Sequence, residues 1–185
     1  MPTRQPPSTT PERADADLLR SYARRDDVAA MDALVRRHAD ALRAFLRGYV
    51  DGDAAVEDLF QETWTRVIRR PDRFRDGSFR AWLLCIARNH VIDRPRRRAP
   101  ALVDSLPDED APLPDDAAAR KDLHERMLAA VRGLPGPQRE VFLLRAEDIP
   151  FADIAARLRI PLNTALGRMH YAIQRLRREL SRSIP

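Results

Sequence analysis

The residues that could perform acid–base or metal chemistry do not form a complete set anywhere in the sequence. Asp58 and Glu62 are four positions apart, which would place both carboxylates on one face of a helix. No histidine or cysteine accompanies them at a metal-binding spacing, since the 4 histidines are scattered and Cys85 is the single cysteine. The sequence also lacks a glycine-rich phosphate loop and a nucleophile elbow. It therefore predicts a protein that is not an enzyme and that uses no cofactor or metal ion.

The arginines are distributed in a way that points to a polyanionic ligand. The formal net charge is only +5, yet residues 66–98 carry 11 arginines against 3 acidic residues, and residues 157–182 carry 7 arginines against 1. Residues 99–122, between them, have a net charge of −5. Two separate basic segments indicate a polyanion that is contacted at two places. On charge alone, two solvated helix faces explain the pattern equally well.

The first basic segment combines arginines with aromatic side chains. Stacking platforms in a positive groove are how proteins hold single-stranded DNA, so this mixture could bind an unpaired strand. Trp82 and Trp64, however, fall on apolar stripes and are more typical of a core, and Cys85 is expected to be a small buried hydrophobe. The residues concerned are Phe74, Phe79, Trp82, Arg75, Arg80, Arg88 and the run Arg96, Arg97 and Arg98.

The second basic segment has the pattern of a helix-turn-helix unit. A helix over residues 151–158, a turn over 159–161 and a basic last helix ending near Leu180 would place that last helix in the major groove. An ordinary three-helix domain with a charged surface is the alternative. Asn163, Thr164, Arg168, His170 and Tyr171 could reach base edges, whereas Arg175, Arg177 and Arg178 would meet phosphates.

The elements that must position these side chains are helices. Apolar residues recur at helical spacing, only 6% of the chain is aromatic and no convincing strand is found, which predicts an all-α protein of two small domains. Their expected bounds are residues 14–98 and 117–182, joined by a flexible, acidic, proline-rich linker over 99–116 and preceded by a disordered tail over 1–13.

The helix starts and the targeting signals also follow from residue types. Asp53 and Ser78 are expected to cap the third and fourth helices, and Asp148 is expected to cap the first helix of the helix-turn-helix unit. No apolar run approaches the ~20 residues that cross a bilayer, and the N-terminus has no apolar secretion signal. We therefore expect a cytoplasmic protein without membrane insertion.

The third helix presents a compact acidic and polar patch. Asp58, Gln61 and Glu62 share one face at spacings of three and four residues. Such a face could dock a basic partner, although a solvated helix face is the more common explanation of this pattern.

The order of these motifs resembles a known family. The stretch Asp58-Leu-Phe-Gln-Glu-Thr-Trp64, followed by Gly77-Ser-Phe-Arg-Ala-Trp-Leu-Leu-Cys-Ile-Ala-Arg-Asn89, is similar to region 2 of bacterial RNA polymerase sigma factors. Leu134-Pro-Gly-Pro-Gln-Arg-Glu-Val-Phe142 and the helix-turn-helix unit are similar to region 4. The chain thus resembles the small extracytoplasmic-function (ECF) group, which keeps these two regions and a linker.

The resemblance implies a function and a set of binding residues. The protein would bind the clamp helices and flap of core RNA polymerase, recognise promoter DNA in duplex and single-stranded form, and be held by an anti-sigma factor. The acidic linker would thread the RNA exit region. The implied polymerase-binding residues are Asp58, Gln61, Glu62 and Trp64. The implied −10 residues are Phe74, Arg75, Asp76, Ser78, Arg88, Asn89, Arg96 and Arg97, and the implied −35 residues are Asn163, Thr164, Leu166, Gly167, Arg168, His170, Tyr171 and Arg175.

The recognition helix departs from the family pattern. Leu166 and Gly167 replace a base-reaching cation and a hydroxyl, and Tyr171 stands where a basic residue is common. Pro95 interrupts the end of the region 2 helix. The −35 DNA sequence that this protein would recognise therefore cannot be inferred from the family. Two other functions stay open: a stand-alone helix-turn-helix regulator that binds duplex DNA without polymerase, and an adaptor that binds only proteins.

Overall fold

The computed structural model describes residues 14–93 and 116–182, and these fold into α-helices joined by short turns. No strand occurs in this part of the chain, and the expected all-α, two-domain class is confirmed. No helix within it is both long and apolar enough to cross a membrane. Tail residues 1–13, nearly all of the linker over 99–116, Pro95 and the run Arg96–Arg98 lie outside the described residues. The helices are α1 (Asp15–Arg25), α2 (Val28–Arg47), α3 (Asp53–Arg69), α4 (Phe79–Asp93), α5 (Asp116–Arg132), α6 (Gly136–Ala146), α7 (Phe151–Leu158) and α8 (Leu162–Arg182).

The first domain packs α1 to α4 around one apolar core. Helix α2 contributes a continuous buried stripe, because residues three and four apart share one face of a helix. Helices α3 and α4 pack against that stripe and against each other. A short 3-10 turn over Pro71–Arg73, which the sequence pattern did not predict, joins them. The core side chains that are almost fully buried are Leu34, Leu42, Phe45, Leu46, Leu59, Val67, Phe79, Leu83 and Leu84.

Phe79 is the point at which the elements of the first domain meet. The side chain is 2% exposed. Its ring centroid lies 5.1 Å from that of His38 on α2 and 5.7 Å from that of Phe74 in the loop before α4. Trp64 of α3 and Trp82 of α4 lie 6.3 and 5.6 Å away by the same measure. Aromatic pairs at these separations contribute beyond their buried area.

The capping predictions have mixed outcomes. Ser78 does cap α4, because its Oγ accepts a hydrogen bond of 3.1 Å from the backbone N–H of Ala81. The prediction for Asp53 is wrong: this residue is the first of α3, and Gly52, with a φ of 82°, precedes the helix in a conformation that favours glycine. The prediction for Asp148 is also wrong, since Pro150 occupies the position before α7 and no side chain caps that helix.

The second domain packs α5, α6 and α7 against the long helix α8. Helices α7 and α8 form the expected helix-turn-helix unit, and the turn between them contains Arg159 in the left-handed conformation with a φ of 54°. The backbone N–H of Ile160 donates to the carbonyl of Ala155 at 3.0 Å, which closes the end of α7. Ile154 of α7 and Ala165 of α8 are both fully buried.

The two domains touch along the end of α2 and one side of α4. Gly48 is packed so closely that a methyl group on it would lie 2.4 Å from the side chain of Leu143 on α6. The guanidinium of Arg132 donates to the carbonyl of Arg47 at 3.3 Å, and that of Arg139 lies 5.2 Å from the centre of the Tyr49 ring. The absence of a side chain at Gly48 therefore permits the close approach of the two domains, and two arginines of the second domain contact residues beside it.

Replacing Phe79 with alanine should destabilise the protein more than any change at its surface. Loss of a buried phenylalanine costs about 3–5 kcal/mol of unfolding free energy, because it removes apolar contacts and leaves a cavity. Urea unfolding of Phe79→Ala measures the effect. Ile68→Ala is the matched control, since this side chain is 43% exposed and its loss should change stability by only about 0.5 kcal/mol. Equal losses for the two variants would refute the central place of Phe79.

Candidate nucleic-acid and protein-binding surfaces

The acidic patch of α3 lies on the surface of the first domain. Asp58, Gln61 and Glu62 are all exposed on one side of this helix. Glu62 is also paired with His90 of α4. Trp64 is 4% exposed, so this fourth residue lies in the core beneath the patch and not on it. The buried apolar stripe of α3 runs alongside the patch, and Trp64 belongs to that stripe.

The orientation of the acidic patch is fixed from the neighbouring helix. Arg43 of α2 donates from Nε and a terminal nitrogen to one carboxylate oxygen of Glu57, at 3.2 and 3.1 Å. The same guanidinium lies 4.0 Å from the centre of the Phe60 ring, close enough for a cation–π contact. These contacts add to the packing of α3 against α2, and the patch faces outward.

The loop before α4 forms one wall of an open cleft. Gly77 has a φ of 79°, which turns the chain into the helix start at Ser78. Phe74 is half-buried, with its ring centroid 5.4 Å from that of Trp82, so the loop is tied to the aromatic core. The cleft has a volume of about 340 Å³. It is lined by Ala16, Leu19, Arg20 and Ala23 of α1 and by Pro71, Asp72, Phe74, Arg75, Asp76 and Gly77.

This cleft combines the groups that hold an extruded base. Phe74 supplies apolar surface and Leu19 is a buried part of the lining, whereas the exposed rim carries the cations Arg20 and Arg75 together with the carboxylates Asp72 and Asp76. A flipped base needs an apolar or aromatic contact for its face and a cation for the adjoining phosphate. Three of the expected −10 residues, Phe74, Arg75 and Asp76, are thus brought together. The contribution of Leu19 and Arg20 was missed, because nothing in the sequence indicates that α1 packs beside this loop.

Other expected −10 residues face the second domain. A terminal nitrogen of Arg88 donates to Glu140 of α6 at 2.8 Å, and both side chains are mostly buried, at 23% and 12% exposed. The Arg157 guanidinium of α7 donates to the carbonyl of Ser78 at 3.3 Å. Arg80 pairs with Glu147 in the same interface. Asn89 remains exposed beside Arg88 and accepts a hydrogen bond of 2.8 Å from it.

Three interface partners were not identified from the sequence. Glu140, Glu147 and Arg157 lie 52 to 79 positions from the residues they contact, so no local spacing links them. Their residue types fit a solvated helix face equally well. Only the packing of α6 and α7 on α4 shows that they pair across the domains.

Helix α8 presents one buried and one exposed side. Ala165, Ala172 and Leu176 are buried against the rest of the second domain. Most of the residues expected to contact −35 DNA lie elsewhere around the helix and are accessible, although Thr164, Gly167 and Arg168 are only partly exposed. The accessible group comprises Asn163, Leu166, His170, Tyr171 and Arg175, with Arg177 and Arg178 further along.

The exposed side of α8 mixes polar and apolar contact groups. Leu166 is 43% exposed and Tyr171 is 61% exposed, so both offer apolar surface on this side of the helix. The Nε2 of His170 is 2.9 Å from the side-chain amide nitrogen of Gln174, and the His170 and Tyr171 rings meet edge to face at 5.7 Å. The side can therefore hydrogen-bond to base edges and also contact a thymine methyl group.

The remaining chemistry-bearing groups do not assemble a site. Burial raises the pKa of the Cys85 thiol, which keeps it protonated and unreactive. Burial lowers the pKa of His38, because it disfavours the charged imidazolium, although the Asp15 carboxylate beside it raises that pKa. Within residues 14–93 and 116–182, no three side chains of metal-binding type cluster together.

Comparison with known protein families identifies both domains. Residues 34–100 match the family described as Sigma-70 region 2, and residues 124–180 match Sigma-70, region 4. The two matches occur in the order that the motifs predict, on either side of the linker.

Named relatives share most of this chain. The chain is 34% identical to the RNA polymerase sigma factor CarQ of Myxococcus xanthus, over 80% of its own length and 87% of CarQ. It is 32% identical to the ECF RNA polymerase sigma factor SigL of Mycobacterium tuberculosis, over 82% of its own length and 89% of SigL. It is 33% identical to the ECF sigma factor SigE of Mycolicibacterium smegmatis over 84% of its own length, and the match spans 65% of SigE.

Solved structures share the fold. CnrH in complex with the cytosolic domain of CnrY aligns with a TM-score of 0.68 and 28% identity, covering 91% of this chain and 98% of CnrH. The sigma factor RpoE in complex with the anti-sigma factor NepR, from Bartonella quintana, aligns with a TM-score of 0.63 and 25% identity, covering 81% of this chain and 96% of RpoE.

The ion pair between Arg88 and Glu140 should couple the stabilities of the two domains. In a double-mutant cycle of Arg88→Gln and Glu140→Gln, we expect an interaction free energy of about 1 kcal/mol, because both groups are partly removed from water. Urea unfolding of the four proteins measures it. The exposed pair Arg126–Asp122 within α5 is the control and should give about 0.3–0.5 kcal/mol. A value near zero for Arg88 and Glu140 would show that this contact does not form in solution.

Proposed function

Because the chain belongs to the RNA polymerase sigma factors of the ECF group, we propose that it joins core polymerase through α3 and contacts a promoter through two separate surfaces. As a sigma factor it directs promoter-specific transcription and has no catalytic activity of its own. The observation that carries the proposal is the presence of both region matches in one chain, each with several of its candidate residues exposed. We place the protein in the cytoplasm, where polymerase and promoter DNA are found.

The acidic patch of α3 is the proposed contact for the polymerase clamp helices. Asp58, Gln61 and Glu62 are exposed together, and Arg43 of α2 contacts Glu57 on the same helix. A fixed negative patch attracts a positively charged partner and sets its orientation. This docking function replaces the interpretation of the patch as an ordinary solvated helix face.

The cleft beside the loop before α4 is the proposed pocket for a −10 base. Extruding a base from the duplex costs a few kcal/mol, which stacking and pocket contacts offset. Phe74 and Leu19 provide the apolar wall, and Arg20 and Arg75 lie at its rim. Because only an unpaired base can enter, the same contacts favour melting of the start-proximal DNA.

Helix α8 is the proposed reader of the −35 element. Its exposed side carries hydrogen-bonding groups on Asn163 and His170 and apolar groups on Leu166 and Tyr171. Arg175, Arg177 and Arg178 follow along the same helix and suit phosphate contacts. The flap of the polymerase is the proposed protein contact of this domain.

An anti-sigma factor is the proposed regulatory partner. The similar structures of CnrH and of RpoE are each described as a complex, RpoE with the anti-sigma factor NepR. The two domains of this chain already meet through Arg88 and Glu140, which brings surfaces from both regions within reach of one small partner.

The two alternative functions, a stand-alone regulator and a protein-only adaptor, each explain fewer features of the chain. A stand-alone helix-turn-helix regulator would use the second domain but gives no reason for the acidic patch and the cleft of the first. A protein-only adaptor gives no reason for the arginines along α8. Strong loss of promoter affinity with rising salt distinguishes the sigma factor from the adaptor, because phosphate contacts release counterions.

The double variant Asp58→Ala with Glu62→Ala should weaken binding to core polymerase. Removing two negative charges from the proposed contact should raise the dissociation constant by about tenfold or more while the fold stays intact. Fluorescence titration of labelled protein with purified core polymerase measures the change. Asp32→Ala with Asp40→Ala removes two exposed charges from α2 and is the matched control. Unchanged affinity in the first variant would exclude the patch as the contact.

Arg168→Ala should impair initiation that depends on the −35 element. If Arg168 reads a base, the loss is about 1–3 kcal/mol and is confined to promoters carrying that base. Initiation from a library with every single substitution in the −35 element measures the pattern. Arg178→Ala, the proposed phosphate contact, should weaken all sequences alike. A uniform loss for Arg168→Ala would instead assign this arginine to a phosphate.

A further inference from the structure

Helix α8 contains a glycine that the packing of the domain does not require. A methyl group built on Gly167 would meet no neighbouring side chain or segment within 4 Å. Gly48 provides the contrast, because a methyl there would lie 2.4 Å from Leu143. Glycine within a helix is unfavourable relative to alanine, since it loses more backbone freedom on folding. Gly167 therefore lowers the stability of α8, although the packing of this helix within its domain does not require a glycine there.

Gly167 lies at the middle of the side of α8 that faces away from the core. At about 100° per residue, it is about 180° around the helix from the buried Leu176. Asn163 lies one turn before it, and His170 and Tyr171 lie one turn after it, all three exposed. The missing side chain therefore leaves a gap between three projecting contact groups.

We propose that Gly167 is a specificity-determining residue that lets the backbone of α8 approach the base edges of the −35 duplex closely. The inference rests on the proposed −35 contact of α8. Glycine is the residue that permits a backbone to come near a ligand, because no Cβ stands in the way. Asn163 and the paired rings of His170 and Tyr171 then lie on either side of the closest contact.

The absence of a side chain at position 167 changes how the base pairs that face this position are recognised. With no side chain at 167, hydrogen bonding there falls to the flanking Asn163 and His170. Leu166, which is 43% exposed, and Tyr171, which is 61% exposed, provide apolar surface for thymine methyl groups beside the gap. Recognition by fit and apolar contact takes the place of a direct hydrogen bond from position 167.

The test is a size series, Gly167→Ala and Gly167→Leu, in the full chain assembled with core polymerase. Both substitutions should raise the thermal unfolding midpoint, by about 2–4 °C for alanine. Both should also weaken binding to the promoter selected by the unaltered protein, about tenfold for alanine and more for leucine. Gly136→Ala, at the start of α6, also adds a methyl in open space and is the matched control, with promoter affinity unchanged.

Opposite changes in stability and promoter affinity support the inference. A Gly167→Ala protein that binds the promoter as tightly as the unaltered protein overturns it, and so does one that is less stable. These outcomes differ from failure of the proposed function, in which the unaltered protein with core polymerase shows no dependence on any −35 sequence.

Discussion

The burial of Phe79 at the start of α4 is the constraint on which the first domain depends. Its ring contacts aromatic side chains from α2, α3, α4 and the preceding loop, and the Ser78 cap fixes the helix start one residue earlier. The acidic patch lies on the outer side of α3, and the cleft is bounded by the loop before α4. One buried cluster therefore positions both surfaces, the proposed polymerase contact and the proposed −10 contact.

The contact between the domains pairs an arginine with a carboxylate, which is the same kind of charge pairing as that of an arginine with a DNA phosphate. Arg88 is paired with Glu140, and a carboxylate on a guanidinium occupies the place that a phosphate would take. Under the proposed function, Glu140 and a DNA phosphate are alternative partners for this guanidinium.

The local features of the fold could be predicted from the sequence, and the contacts between distant elements could not. The helical pattern predicted α7 over residues 151–158, and the residue type of Ser78 predicted its cap, because both depend on neighbours within a few positions. Asp53 was assigned as a cap because its residue type suits one, but Gly52 turns the chain a residue earlier. Trp64 was assigned to the polymerase contact by resemblance, while the apolar stripe placed it in the core. Glu140, Leu19 and Arg20 act through packing across the chain, which no spacing encodes.

The most direct test of this account is mapping of transcription start sites on a promoter library, using purified bacterial core polymerase with and without the protein. The account predicts discrete new start sites that share two sequence elements at a fixed separation and that appear only when the protein is added. The same set of start sites in both reactions would contradict it.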